Sequence, residues 1–141
     1  MSPATLRIIV AGVLFVHGIG HIMGLLPIFG LSTIDTWNTQ SWLLTGILGD
    51  TISRVTAFVL FLIPTIGLVG AALALINWLV PHDMWRSLAL WSSVISLIAI
   101  FLFWNALVAF FPNKIGAIAV DVATLVALIW ASWPTEAQIG Y

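Results

Sequence analysis

The sequence predicts an all-α integral membrane protein, organised as one antiparallel four-helix bundle with its N and C termini on the same side of the membrane. Of the 141 residues, 62% are hydrophobic and 6% are charged, whereas a soluble domain carries about 25% charged residues. A stretch of about 20 apolar residues spans the hydrocarbon core of a bilayer, and the chain has room for four such stretches. We therefore expect a single transmembrane domain over residues 1–141.

Four apolar stretches are the predicted membrane spans. They cover residues 5–26, 54–80, 87–111 and 115–133. The connection over residues 27–53 is polar, except for an apolar segment over 42–48 that is too short to cross a membrane. That segment is interpreted either as a short helix in the lipid headgroup layer, beside Trp37 and Trp42, or as an irregular loop packed on the bundle.

Short polar turns join the second, third and fourth predicted spans, so these spans should be antiparallel neighbours. Adding the first span gives an even number of crossings, which places both termini on one side. Lys and Arg residues normally set the orientation of such a bundle. Here Arg7 and Arg86 fall on the side of the termini, and Arg54 and Lys114 fall on the opposite side. The two sides carry equal numbers of Lys and Arg residues, and no orientation is predicted.

The composition also excludes several classes of function. The chain has no cysteine, which excludes iron–sulfur clusters, covalently attached c-type haem and thiol redox chemistry. A formal net charge of −1 offers no basic surface for nucleic acid. No nucleophile stands in a recognisable catalytic pattern, and we expect no enzymatic activity of the chain alone.

Small residues mark two helix faces that neighbouring helices can approach closely. In the first span, Gly20 and Gly24 share a face with His17 and His21, which are four residues apart and therefore adjacent on a helix. A partner helix or a flat ligand could approach this face closely. In the second span, a narrow stripe of small residues is predicted to pack against a neighbouring helix, and it consists of Gly67, Gly70, Ala71 and Ala74.

Polar side chains from three predicted spans fall at one depth in the membrane. An α-helix rises about 1.5 Å per residue, so each of these side chains lies about 8–9 Å inside the same boundary. The residues are His21, Asn105 and Asp121. His17 lies one turn deeper on the face of His21. We expect these four side chains to point inward and meet, with Arg54 as a charge partner for Asp121.

Four chemical roles remain open for this polar layer. In the first, the side chains only hydrogen-bond across helices and fix their register. In the second, His17 or His21, supported by Asp121, is an axial ligand to haem iron or to the magnesium of a chlorophyll-type pigment. In the third, the layer binds a quinone and exchanges protons with its oxygens. In the fourth, it is the proton relay of a small transporter.

The remaining histidine, His82, falls in a turn at the far side of the membrane and is interpreted as a solvated residue. A haem held between two histidines of this chain is therefore disfavoured, because such ligands normally come from facing helices. His17 and His21 have the spacing of zinc ligands. With Asp121 as the one further ligand, however, no metal-ion site is predicted.

Two segments resemble the DoxX-like proteins, a group of small four-helix bacterial membrane proteins. Residues 17–24, HGIGHIMG, resemble part of the first helix of that group. Residues 104–106, WNA, followed by NKIGAIA at 113–119, resemble the turn into its last helix, although this chain interposes residues 107–112. The resemblance implies a four-helix fold, a bacterial cytoplasmic membrane and, as in better-known relatives, association with a quinone-linked oxidoreductase. It carries over no catalytic residue.

The sequence as a whole favours a small non-catalytic membrane subunit that packs against lipid and other membrane proteins in a larger energy-converting or redox complex. The nearly uncharged outer surface and the lack of a soluble head support this interpretation. The alternatives are a membrane redox protein that binds a cofactor or quinone through His17, His21 and Asp121, and a small transporter or proton relay.

Overall fold

The computed structural model describes residues 1–32, 37–107 and 113–141, with Asn113 described for its backbone alone. These residues form helices joined by turns, and no strand occurs among them, which confirms the predicted all-α class. The α-helices are α1 (Pro3–Gly20), α2 (Ile22–Leu25), α3 (Thr45–Leu75), α4 (Trp85–Leu102), α5 (Asn113–Leu125) and α6 (Glu136–Ile139). Short 3-10 turns cover Leu26–Phe29, His82–Met84 and Trp104–Ala106, and α5 continues as a π-helix over Val126–Trp130.

Three helical segments are long and apolar enough to cross a membrane, which indicates a membrane protein. They are Pro3–Phe29, Thr45–Leu75 and His82–Leu102, with mean hydropathies of 2.0, 2.5 and 1.7. Their outward faces carry large aliphatic side chains, such as Val16, which is 71% exposed, and Ile66, which is 62% exposed. Apolar surface of this extent is unfavourable in water and favourable against lipid.

Helix α3 lies between α1 and α4 and packs on both, and α4 in turn packs on α5. Small residues permit the close approach. A Cβ at Gly18 of α1 would lie 3.0 Å from Leu68 Cβ and from the Val69 nitrogen, and a Cβ at Gly67 would collide with the Ser92 hydroxyl of α4. Ala71 and Ala74 are fully buried, and Gly70 lies opposite Leu88. The predicted small stripe of α3 therefore faces α1 and α4.

The two glycines predicted to pack in the first span behave differently. A Cβ at Gly24 would collide with the ring of Phe61, so Gly24 lies directly against α3. A Cβ at Gly20 would meet nothing within 4 Å. The prediction that Gly20 serves helix packing is therefore wrong, because no helix among the described residues covers its face.

The helix boundaries depart from the predicted spans at several points. Helix α3 begins nine residues before the predicted residue 54, although Gly49, with φ of 81°, interrupts its first turns. It ends at Leu75 rather than at residue 80, because Asn77 and Leu79 take positive φ angles of 54° and 63° in the turn that follows. The last span was expected over 115–133, whereas α5 with its π-helical continuation ends at Trp130.

Helix α4 ends at Leu102, nine residues before the predicted end of the third span. Carbonyls in the last turn of a helix have no partner within the helix. Here Ser41 Oγ donates to the Leu102 carbonyl at 2.6 Å, and Trp42 Nε1 donates to the Phe101 carbonyl at 2.7 Å. The loop that follows α2 therefore caps α4. Residues 108–111 of the predicted span lie outside the described residues.

The apolar segment over 42–48 divides into a turn and the first residues of α3. Trp42, Leu43 and Leu44 form the turn, and the helix begins at Thr45. Hydrogen bonds among Ser41, Thr45 and Ser53 hold the turn against the bundle. Gly49 separates the helical residues 45–48 from the rest of α3, and Trp42 and Ile47 are 50% and 72% exposed, so both interpretations stay predictions.

A second set of contacts closes the opposite end of the bundle. Helix α6 packs on α1, and its Ile139 is fully buried beside Leu6 and Trp85. Its Glu136 accepts hydrogen bonds from His82 Nε2 at 2.8 Å and from Arg86 Nε at 3.3 Å. His82 also stacks on the Tyr141 ring, with centroids 3.5 Å apart. The interpretation of His82 as a solvated turn residue is therefore wrong, because the chain folds back over it.

The Glu136 contacts give this end of the molecule a defined response to pH. Partial burial by itself raises the pKa of the Glu136 carboxyl, but hydrogen bonds from His82, Arg86 and Trp85 outweigh burial and hold this pKa below its ordinary value. A group of this kind contributes stability that is complete above the ordinary carboxyl pKa and is lost as pH falls through the lowered pKa.

We predict that α6 loosens in acid, at pH values below the ordinary carboxyl pKa. The measurement is the protection of the Ile139 and Tyr141 amides against hydrogen exchange in detergent, relative to the intrinsic exchange rate at each pH, and this protection should fall several-fold as Glu136 is protonated. The variant Glu136→Gln should show lower protection at neutral pH and no further loss of protection in acid. Asp83→Asn, which alters an exposed carboxylate of the neighbouring turn, is the matched control. An acid response that persists in Glu136→Gln would contradict the assignment.

Candidate functional site

Two histidines at the end of α1 begin the candidate site. His17 lies in the last turn of α1, and His21 lies at the break between α1 and α2. Their rings are in edge-to-face contact, with centroids 4.9 Å apart. Residues four apart on a helix face the same way, so both rings point towards α4 and α5. The sequence spacing therefore accounts for their shared direction.

The carboxylate of Asp121 on α5 binds side chains from two other helices. Its Oδ1 lies 2.8 Å from His17 Nε2, and its Oδ2 accepts a hydrogen bond from Ser96 Oγ of α4. Ser96 Oγ also lies 3.1 Å from His21 Nε2. Because the one hydroxyl proton of Ser96 is donated to Asp121, His21 donates Nε2–H to Ser96. We call His17, His21, Ser96 and Asp121 the polar cluster.

Because Asp121 is buried, its carboxylate depends on these hydrogen bonds for its stability in the protein. The Asp121 side chain is 0% exposed, and that of His17 is 8% exposed. A buried carboxylate without partners is strongly unfavourable. Arg54, the predicted charge partner, is exposed on α3, and Asp121 contacts the imidazole of His17 instead. The prediction for Arg54 is therefore wrong.

Asn105 does not join the polar cluster. It is exposed and lies in the 3-10 turn Trp104–Ala106. The prediction counted depth along a helix that continued to residue 111, but α4 ends at Leu102. Beyond that point the rise of an α-helix no longer applies, so the predicted level of Asn105 is wrong. The depth count does apply to Asp121, because α5 is helical on both sides of it.

Ser96 is the member of the cluster that sequence reasoning missed. Helix α4 carries three buried serines, Ser92, Ser93 and Ser96. Serines three and four residues apart on one side of an apolar helix indicate a polar interhelical face. This serine pattern was the sequence signal from which a role for this face of α4 could have been predicted. It identifies the face of α4 and leaves open which serine reaches Asp121.

A cavity of about 660 Å³ lies beside the polar cluster, between α1 and α5. His17 and His21 form part of its wall, whereas Asp121 lies behind them. The rest of the wall is mainly apolar and includes Val13, Val16, Gly20, Phe61, Ile100 and Ala117. Gly20 thus borders open space, which explains why a Cβ there would meet no atom.

A second cavity of about 360 Å³ continues along the same pair of helices towards Pro134. The two cavities share Ile9, Val13 and Val120. Helices α1 and α5 approach each other little along this line. Together the cavities form one groove, which we call the α1–α5 groove.

Lys114 is the one lysine in the groove wall, and its side chain is buried. Its Nζ donates to the Trp104 carbonyl at 2.8 Å and lies 4.5 Å from the centre of the Trp104 ring. The cation is therefore held at the first cavity by a carbonyl and an aromatic face. It adds a third polar group, after His17 and His21, to that cavity.

The polar cluster has the composition of both a proton-exchange site and a metal site. Imidazole and carboxylate groups exchange protons with bound oxygens. One ligand atom each from His17, His21 and Asp121 also lies within 4.8 Å of the other two. The sequence predicted no metal-ion site, whereas the fold brings three residues of ligating type into one small volume.

Comparisons of the chain with protein-family models, with curated proteins and with solved structures find no match.

We predict that His17→Ala lowers the free energy of unfolding by about 1–3 kcal/mol, because it removes a hydrogen-bond partner of a buried carboxylate. The measurement is denaturant unfolding in detergent, followed by circular dichroism. The double variant His17→Ala/Asp121→Asn should lose less than the sum of the single variants, with a coupling of about 0.5–3 kcal/mol. Strictly additive losses would show that the two side chains do not interact.

Proposed function

We propose that this protein binds a lipophilic quinone in the α1–α5 groove, places its head against His17 and His21, and exchanges protons with its oxygens through the polar cluster. The observation that carries the proposal is the position of a buried His–Asp–Ser network at the wall of an apolar cavity. Apolar walls with a few convergent polar groups are the usual composition of small-molecule sites.

The dimensions of the groove support a ligand with a head and a tail. The first cavity, of about 660 Å³, falls within the range of about 300–1,000 Å³ found for such sites. It contains the polar side chains His17, His21 and Lys114. The second cavity is lined mostly by Val, Leu, Ile and Ala side chains and suits an apolar tail.

The surface beside the groove supports access from the membrane. Ile9 and Val13 line the groove and are 50% and 48% exposed, and Val16 at the first cavity is exposed further still. In a bilayer, aliphatic side chains at these positions would contact lipid tails. A lipid-soluble ligand would therefore reach the groove sideways, without passing through water.

The hydrogen bonds of the two histidines favour a quinone over a haem or a chlorophyll-type pigment. Axial ligation requires an imidazole nitrogen whose lone pair points at the metal of the macrocycle. Axial ligation by either Nε2 atom would separate that nitrogen from Asp121 or Ser96, which it contacts in the structure. A quinone requires only a donor or a proton, which this network can supply through small shifts of the rings.

We also propose that the chain works as a subunit of a larger redox complex. Quinone reduction requires electrons, and a chain without cysteine cannot supply them through a thiol or an iron–sulfur cluster. Aromatic side chains on the outer surface offer docking area for another membrane subunit, and Trp91 and Trp130 are 63% and 87% exposed. The resemblance to DoxX-like proteins supports the same assignment.

The proposed topology has four spans, with both termini on one side of a bacterial cytoplasmic membrane. Helix α5 and the π-helix contain 13 and 5 residues, which correspond to about 27 Å and nearly match a hydrocarbon core of about 30 Å. The packing of α6 on α1 supports a common side for the termini, since a Cβ at Gly140 would lie 3.4 Å from Pro3 Cβ.

We predict saturable binding of a prenylated benzoquinone by the purified protein in detergent, measured by equilibrium dialysis. Ala117→Phe, which fills the first cavity, should weaken binding at least tenfold. Val122→Phe places the same side chain on the exposed side of α5 and should bind like the wild type. Lack of saturation, or equal loss in both variants, would contradict the proposal. If a fatty acid binds saturably and the quinone does not, the groove is an anionic lipid site instead.

The subunit assignment predicts that the protein migrates with a larger complex on native gels after mild detergent extraction of its own membrane. Trp91→Ala and Trp130→Ala together should reduce that co-migration if these side chains contact the partner. Ala substitution of Trp78, which is also exposed but lies in the turn after α3, is the control. Migration as an isolated chain under all extraction conditions would contradict the assignment.

A further inference from the structure

We propose that His17, His21 and Asp121 form a binding site for one divalent transition-metal ion, with two imidazoles and one carboxylate as the protein ligands. The inference does not depend on what occupies the α1–α5 groove. It rests on the convergence of these three side chains, on their burial and on the contact that Ser96 makes with the carboxylate.

The first argument is geometric. The three candidate ligand atoms all lie within 4.8 Å of one another, and His17 and Asp121 already approach to 2.8 Å. Zinc bonds of about 2.0–2.2 Å place tetrahedral ligand atoms about 3.4 Å apart. The observed His17–Asp121 separation is shorter than this value and the others are at most 4.8 Å, so modest rotations of the two imidazole rings would bring all three atoms onto one ion.

The second argument is electrostatic. Asp121 is fully buried, and in the described parts of the chain no lysine or arginine lies within ion-pair distance of it. A carboxylate and two neutral imidazoles together carry one negative charge. A divalent cation bound at their centre compensates that charge and satisfies the ligating atoms at the same time.

The third argument concerns the groups around the ligands. Carboxylates that bind metals are held in place by further hydrogen bonds, which fix their orientation. Ser96 Oγ donates to Asp121 Oδ2, and this leaves Oδ1 directed towards His17. The hydroxyl therefore holds one oxygen of the carboxylate and leaves the other oxygen for the proposed ion. Ser96 is accordingly a positioning residue and not a ligand.

The donor atoms define the class of ion. Two imidazole nitrogens and one carboxylate oxygen suit Zn²⁺, Fe²⁺, Mn²⁺ or Co²⁺, whereas Cu⁺ prefers thiolate and thioether ligands. Three protein ligands leave a coordination position for another group. His17 and His21 line the first cavity and Asp121 does not, so the free position would face that cavity and accept an oxygen ligand from it.

An ion at this site would also connect two helices that otherwise approach each other little. His17 and His21 belong to the α1 side of the groove, and Asp121 belongs to α5. Binding of an ion to the folded state alone stabilises that state by mass action. The proposed site therefore predicts a thermal shift in addition to direct binding.

The test uses the full chain, purified in detergent, treated with a chelator and titrated with Co²⁺ or Zn²⁺. We expect one Co²⁺ per chain with visible absorption bands of a low-coordinate site, and a higher melting temperature with Zn²⁺. His21→Ala and Asp121→Asn should each weaken binding at least 100-fold. His82→Ala removes the histidine at the opposite end of the bundle and should bind like the wild type.

Two results would overturn the proposal: no saturable binding by the wild type, or binding that His82→Ala abolishes and His21→Ala does not. Should Asp121→Asn fail to fold, Asp121→Glu keeps a carboxylate and should retain binding with altered Co²⁺ bands. Ala117→Phe separates this proposal from the quinone site, because it should lose the quinone and keep the metal. If the protein binds no metal ion, the quinone proposal is still tested separately, by quinone binding to the chelator-treated protein.

Discussion

The buried carboxylate of Asp121 is the constraint on which the rest of the structure depends. A charged group inside an apolar bundle must find partners, and Asp121 finds them on two other helices, through His17 of α1 and Ser96 of α4. These contacts decide how α5 is rotated and how far along the bundle it is placed. Helices α1 and α5 approach each other little elsewhere, so the polar cluster is the main link across their groove.

Contacts at the two ends of the bundle hold the helices together, so the groove between α1 and α5 can remain open. Ser41 and Trp42 cap the last carbonyls of α4 at one end, and α6 binds across α1, His82 and Arg86 at the other. Small residues bring α3 directly against α1 and α4. Packing is thus concentrated on one side of the molecule, and the α1–α5 side keeps its cavities. A bundle that closed on every side would bury the polar cluster without giving a ligand access to it.

Composition and helical geometry predicted the class of the fold and most of the polar cluster. A chain with 6% charged residues has too few of them for the surface of a soluble domain. Its apolar stretches also have the length of membrane helices. Because the rise of an α-helix is constant, the depths of His17, His21 and Asp121 followed from counting residues. The same count placed Asn105 wrongly, since it assumed that α4 continues to residue 111. Side chains from a loop distant in sequence end that helix at Leu102.

The sequence by itself determined that the chain is a helical membrane protein and that two histidines and an aspartate lie at related depths. These properties depend on hydropathy and on the spacing of residues within single helices. Tertiary structure alone decided that Ser96, and neither Ser92 nor Ser93, completes the cluster, that His17 replaces Arg54 as the partner of Asp121, and that Gly20 borders a cavity. Each of these depends on how one helix is rotated and shifted against another. Those relative positions arise from packing among distant segments, which no local pattern encodes.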